Sequence, residues 1–253
     1  MIDLEKANKA FDEYVSNYDI NNEKIRLKNE HTKRVQKISR NIAKSLKLNE
    51  EQQDLAELIG MLHDIGRFEQ TKRYNTFSDK NSIDHADFGS NLLFSEGLIR
   101  NFLDDERYDK TIYEAVKNHN KLNIEDGLNE EEILYSKIVR DADKIDILYI
   151  FTVRKLEYFF NVDNIGKEDL SGKIYKDILE HRIIKHADKK TNMDSWLGAV
   201  SFVFDINFEE SRKYIIEKDY INKIIDRIEY TNEDTKKKMK IIKEEVNKFL
   251  LEK

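Results

Sequence analysis

Leu55-Ala56-Glu57-Leu58-Ile59-Gly60-Met61-Leu62-His63-Asp64-Ile65-Gly66-Arg67-Phe68 is the stretch on which the fold turns. Leu55, Ile59 and Leu62 recur at helical spacing, and Leu58 and Met61 thicken the stripe, so the spacing predicts a buried helix. His63 comes four residues after Ile59 and faces inward with it. Asp64 follows directly, and Gly66 stands where a C-terminal cap glycine would allow a left-handed turn. A histidine and a carboxylate at the inner end of an apolar helix need a partner. A buried carboxylate is costly unless it is paired or coordinates a metal. Taken alone, the pair reads most simply as a helix end satisfied by water. The rest of the chain changes that reading.

The 253 residues suit one large domain able to bury its own core. The hydrophobic share is 39% and the charged share 37%, which points to a heavily charged surface. No run is long enough to span a membrane, and Met1 to Asn8 already carries Asp3, Glu5 and Lys6, unlike a signal peptide. The lack of cysteine excludes disulfides and thiolate metal sites and fits a reducing, cytoplasmic setting. The formal charge of −6 argues against a dedicated nucleic-acid binder. With no proline, only 8 glycines and helix-period patterns almost throughout, the expected class is all-α.

Outward from the central stretch, an amphipathic helix is expected from about Ile2 to Tyr18, and another from about Lys24 to Leu46. The second carries Val35, Ile38, Ile42 and Leu46 on one stripe, with His31 one turn earlier. Asn49 with Gln52 resembles a capping box opening the central helix. A loop is expected from Glu69 to Asn81, where Arg73, Tyr74, Asn75, Thr76 and Lys80 could meet a substrate. Helices follow from about Asp84 to Glu96, with His85, Phe88 and Leu92 on one face, and from Tyr108 to Asn118, with Ile112, Ala115, Val116 and His119 on one face. Asn129 caps a long helix expected to run from Glu130 to about Phe160. Inside it, Arg140-Asp141-Ala142-Asp143-Lys144-Ile145-Asp146 is unusually charged for its apolar setting. One stripe (Ile138, Ile145, Leu148) carries Asp141 inward, and another (Val139, Ile147, Ile150) carries Asp143. Periodicity does not choose between them. Further helical patterns lie at about 168–186, 193–204, 209–228 and 232–251, the last with Thr231 and Asp234 as a capping box.

Four of the six histidines, His31, His63, His85 and His119, thus sit on apolar faces of four successive helices. With Asp64 and an acidic cluster in a fifth helix, they are hard to satisfy except by converging. Imidazole and carboxylate without thiolate suit first-row divalent metals. His181 and His186 fall outside the pattern.

This order resembles the HD-domain metal-dependent phosphohydrolase superfamily. Glu30-His31-Thr32-Lys33-Arg34-Val35 looks like its first motif, Leu62-His63-Asp64-Ile65-Gly66 like its signature, and Ala142-Asp143-Lys144 like its last motif. In that last motif the aspartate before the lysine is the metal ligand, which favours Asp143 over Asp141. His85 and the residues after it resemble the segment that supplies a further histidine in two-metal branches, and His119 the next. The resemblance implies a helical HD bundle at about 24–160 with a C-terminal helical extension at 161–253. It implies that His31, His63, Asp64 and Asp143 hold a first metal, and that His85 and His119 complete a second around Asp64. One or two divalent ions (iron, manganese, zinc or magnesium) are expected, with Asp64, Lys144 and Arg67 as the catalytic and phosphate-contact candidates.

Two departures narrow the activity. Paired histidines are replaced by His119-Asn120, and the Gly-Tyr-Pro motif of the cyclic-dinucleotide branch is missing. Both argue against cyclic-di-GMP hydrolysis. The set looks closer to branches that cleave nucleotides or dinucleoside polyphosphates. A small phosphorylated, nucleotide-like substrate is therefore expected. The competing expectations are a nucleotide-sensing HD module without turnover and a helical interaction protein.

Overall fold

A computed structural model describes residues 2–252; Met1, which belongs to the N-terminal stretch read above as no signal peptide, and Lys253 lie outside the described residues. Among the described residues there is no strand, and the class is all-α as expected. The chain forms two compact units, one ending at Asp143 and the other beginning at Lys144. The transition expected from the sequence lies later, near residue 160.

In the first unit, α1 (Leu4–Ser16) is capped by Asp3, which accepts from the Lys6 N–H, and buries Ala7, Phe11 and Val15. Asn22 caps α2 (Glu23–Ser45), which buries Ile25, His31, Val35 and Ile42. The capping box of Asn49 and Gln52 is formed and opens α3 (Glu50–Leu62). Almost at once α4 (Ile65–Tyr74) begins. Asp84 accepts from the N–H groups of Ala86 and Asp87 and starts α5 (His85–Phe94). Then come α6 (Asp109–Asn118) and α7 (Glu130–Val153), the latter opened by a reciprocal pair of bonds between Asn129 and Glu132. Helix α3 packs on α1, α2 and α6, and α4 packs on α2 and α5.

Two glycines let these helices close up. A Cβ on Gly60 would lie 2.6 Å from Ser39 Oγ and 3.0 Å from the Gln36 Cα, so Gly60 draws α2 onto α3. A Cβ on Gly66 would lie 2.5 Å from the His85 carbonyl oxygen and 2.8 Å from the Gly89 nitrogen. Gly66 is therefore not the left-handed cap expected from its position. It is a helical residue of α4, kept small by the backbone of α5. The left-handed cap is Asn75, at φ 49°, nine residues on, and the expected loop from Glu69 is helical as far as Tyr74.

In the second unit the structure corrects several boundaries. The helix expected to reach Phe160 stops at Val153, and α8 (Leu156–Phe160) starts afresh after extended Lys155. The cause is Arg227, whose guanidinium donates to the Phe151 and Arg154 carbonyls at 2.6 and 2.8 Å and takes over the helix end. The pattern at 168–186 yields only α9 (Gly172–Leu179). Next, α10 (Asn192–Val200) gives way to a 3-10 turn, Ser201–Asp205. The pattern at 209–228 divides into α11 (Glu209–Glu217) and α12 (Tyr220–Asp226) around left-handed Asp219. Asn232, not Thr231, accepts the first N–H groups of α13 (Glu233–Glu252). Helices α9, α11 and α12 pack on α13, and fully buried Trp196 gives its indole N–H to the Ile224 carbonyl.

Candidate metal centre

Six of the residues singled out above come together in the first unit, most of them at helix ends. His31 lies within α2, His63 closes α3, Asp64 joins α3 to α4, His85 opens α5, His119 closes α6 and Asp143 lies in α7. The four imidazoles and Asp64 are each less than 5% exposed.

Asp64 is the shared member. Its Oδ2 lies 3.4 Å from His31 Nε2 and 3.2 Å from His63 Nε2. Its Oδ1 lies 3.3 Å from His85 Nε2 and 3.6 Å from His119 Nε2. Asp143 Oδ1 is 3.1 Å from His31 Nε2 and 3.9 Å from His63 Nε2. Two groups of possible cation ligands result: His31, His63 and Asp64 on one side, Asp64, His85 and His119 on the other.

The outer nitrogens of three rings are already engaged. His63 Nδ1 lies 2.8 Å from the Gly60 carbonyl and His119 Nδ1 2.7 Å from the Val116 carbonyl. Both carbonyls belong to the last turn of a helix, where such groups lack intrahelical partners. His85 Nδ1 lies 2.6 Å from Asp79 Oδ2. An imidazole that donates through Nδ1 presents a bare lone pair at Nε2. The lone pairs of His85 and His119 meet head to head at 3.0 Å, and that of His63 faces His31 Nε2 at 3.3 Å. Two lone pairs cannot satisfy each other, and Asp64 Oδ1, though buried, accepts no hydrogen bond. A cation between the rings would satisfy all of these groups at once, so the donor set fits a divalent metal.

The protonation states agree. Burial pulls His63 below the ordinary histidine value, against the pull of Asp64, and pulls His85 down to about 4. Burial would raise Asp64, but the Lys28 ammonium and the surrounding imidazoles hold it well below the usual carboxylate range. Asp143 is likewise held low by His31 and His63 against its burial. At neutral pH His63 and His85 are therefore neutral and the two carboxylates ionised, the forms that bind metal.

The cations around the centre differ in role. Arg67 Nε lies 3.6 Å from Asp64 Oδ1, while its Nη1 donates to Gln70 Oε1, the Phe77 carbonyl and Asp79 Oδ1. Lys144 has its ammonium 2.7 Å from Asp205 Oδ2, an ion pair within the second unit. Two residues that the sequence pattern did not single out complete the surroundings. Lys28 Nζ is 2.5 Å from Asp64 Oδ2, and its signal was its place on α2, three residues before His31. Asp79 has no comparable signal. It lies in a short 3-10 turn, and its carboxyl is lowered to about 2 by His85 and Arg67 despite its burial.

Residues 29–148 match the family model described as "HD domain". The chain carries an HD domain. The matched stretch takes in His31, His63, Asp64, His85, His119 and Asp143, and leaves out residues 149–253. Comparisons with curated proteins and with solved structures give no match. This match supports the resemblance of residues 29–148 to metal-dependent phosphohydrolases, and their histidine and aspartate cluster is compatible with metal binding. Among the described residues no helix is long and apolar enough to cross a membrane.

Proposed function

We propose that the HD domain hydrolyses a phosphate ester or anhydride of a small, nucleotide-like substrate in the cytoplasm. The observation that carries this reading is Asp64, whose two oxygens face separate sets of imidazoles while one of them stays without a hydrogen bond. In this reading His31, His63, Asp64 and Asp143 hold one divalent ion, and Asp64, His85 and His119 hold a second. Bound there, such ions supply a polarised phosphoryl oxygen and a water acidified toward a pKa of about 7. The residues of the chain do the rest. Two carboxylates against two divalent charges leave the centre net positive, which draws an anionic phosphate inward. Lys28, released from sole pairing with Asp64, and Arg67 beside it are the cations placed to meet that phosphate. Asp64 and the Nδ1-anchored rings fix where the reacting groups sit, and orientation of this kind accounts for large factors in rate.

Metal analysis of the purified protein, followed by phosphate release with manganese, iron and magnesium, tests the proposal. The panel should hold nucleoside mono-, di- and triphosphates and dinucleoside polyphosphates. Metal-dependent release from at least one member is expected. Loaded protein that binds a nucleotide without releasing phosphate would make the domain a sensor. Protein that takes up no metal would end both readings.

A further inference from the structure

His85 is held differently from its neighbours. His63 and His119 turn Nδ1 toward the neutral carbonyl three residues earlier in their own helices. His85 opens α5 and so has no preceding turn to lean on. Its Nδ1 meets a carboxylate instead, Asp79 Oδ2 at 2.6 Å. Asp79 is itself fixed from α4, since its Oδ1 accepts from Arg67 Nη1 at 2.7 Å and from Gln70 Nε2 at 2.9 Å. Gln70 Nε2 also donates to Ser82 Oγ and to the Ile83 carbonyl, both at 2.9 Å, which ties down the segment leading into His85.

We propose that Asp79 is a positioning residue: it holds His85 as the Nδ1–H tautomer and aims its Nε2 lone pair at Asp64. A competing group is Asn120, whose Nδ2 lies 3.4 Å from the same Nδ1. An amide N–H given to Nδ1 would enforce the opposite tautomer, with a proton on Nε2 where a metal would bind. Distance and charge favour Asp79, because an ionised carboxylate can only accept and is much the nearer. Carboxylates behind metal-bound histidines fix the ring and raise its basicity, and losing one typically costs 10- to 100-fold in metal affinity. Asp79 meets the ring of His85, so the loss should fall on the His85 and His119 half of the centre. Arg67 thus also fixes Asp79, besides its place next to Asp64. The tautomer follows from the contacts themselves, whereas the effect on affinity rests on the two-ion reading proposed above.

Both parts can be measured on the full chain with Asp79→Ala and Asp79→Glu. Long-range 1H–15N correlation spectra of chelated wild type should show His85 protonated at Nδ1 and bare at Nε2. Asp79→Ala should mix or reverse the tautomers, and Asp79→Glu should restore the wild-type pattern at least in part. Manganese titration should show one equivalent weakened about 10- to 100-fold in Asp79→Ala and the other unchanged. An unchanged His85 tautomer in Asp79→Ala, or equal weakening of both equivalents, would overturn the proposal. A wild type that takes one manganese, indifferent to His85→Ala, removes the two-ion reading, and the tautomer spectra still decide the role of Asp79.

Discussion

The Lys28 ammonium lies 2.5 Å from Asp64 Oδ2, and it is the cation that neutralises a carboxylate only 3% exposed. The same ammonium stands 5.4 Å from the centre of the Phe77 ring. Removing one partner of a buried ion pair leaves the other charge uncompensated, at a cost of about 3–5 kcal/mol. Lys28→Met should therefore destabilise the chelated protein by roughly that amount. Manganese should recover much of the loss, because an ion bound at Asp64 supplies the missing counter-charge and binds the folded state alone. Urea midpoints with chelator and with manganese measure both effects. An equal loss in the two conditions would mean that Lys28 acts by packing.

Acid should unsettle the metal-free protein through its histidines first. Burial holds His63 below the ordinary value and His85 at about 4. In the unfolded chain both take up a proton near pH 6.5. Between about 6.5 and 4 the unfolded state therefore binds more protons, and stability falls as pH falls through that window. The share of His85 is at most about 3 kcal/mol. Asp79, lowered to about 2, follows the opposite pattern. Its contribution is complete above its unfolded value near 3.9 and is lost only as pH drops toward 2. Chelated protein should thus lose stability from pH 7 to pH 5 while the carboxylates are still ionised. His85→Gln should flatten that slope, and an unchanged slope would assign the effect elsewhere.

The centre was legible in the sequence wherever a polar residue interrupted an apolar stripe. His31, His63, His85 and His119 each break the period of a helix that is otherwise apolar on one face, and such breaks need a common explanation. Asp79 and Lys28 break no stripe; Lys28 is marked only by its place three residues before His31, and nothing local marks Asp79. Gly66 shows a different limit: a glycine near a helix end suits a cap, but here the need for glycine comes from His85 and Gly89 on another helix. The stop at Val153 is harder still to foresee, because Arg227, which receives the last carbonyls, lies more than 70 residues away.

Helix α7 shows where periodicity fails and chemistry decides. The stripe with Ile138, Ala142, Ile145 and Leu148 is fully buried, and Asp141 is buried with it. Asp143 belongs to the less buried side, its side chain 18% exposed, yet it is the carboxylate that faces His31 and His63. A site must admit substrate as well as exclude water, and the deepest stripe cannot do both. Asp143→Ala should strip metal and activity while the helical fold persists. Asp141→Ala should lower stability and leave bound metal nearly as in wild type. Elemental analysis and thermal melts on the two variants check this, and the reversed pattern would show that the wrong carboxylate has been placed at the metal.

Asp64 offers the most decisive test. It touches both imidazole sets, so its loss loosens both sides of the centre at once. Asp64→Asn keeps the shape and removes the charge. The helical fold should survive, as judged by circular dichroism, since the Asp64 side chain caps no helix. Lys28 would lose its partner, and the two sets of rings would lose the anion that joins them. If hydrolysis depends on groups held in line at this point, a small misplacement is enough to cost large factors. Phosphate release should fall at least about a hundredfold, with weaker metal retention. Were the His63-Asp64 pair only a helix-end contact, the same change would cost about 1 kcal/mol of stability and leave turnover intact. Turnover and bound metal measured on one preparation separate these outcomes, and full activity in Asp64→Asn would refute the proposed centre.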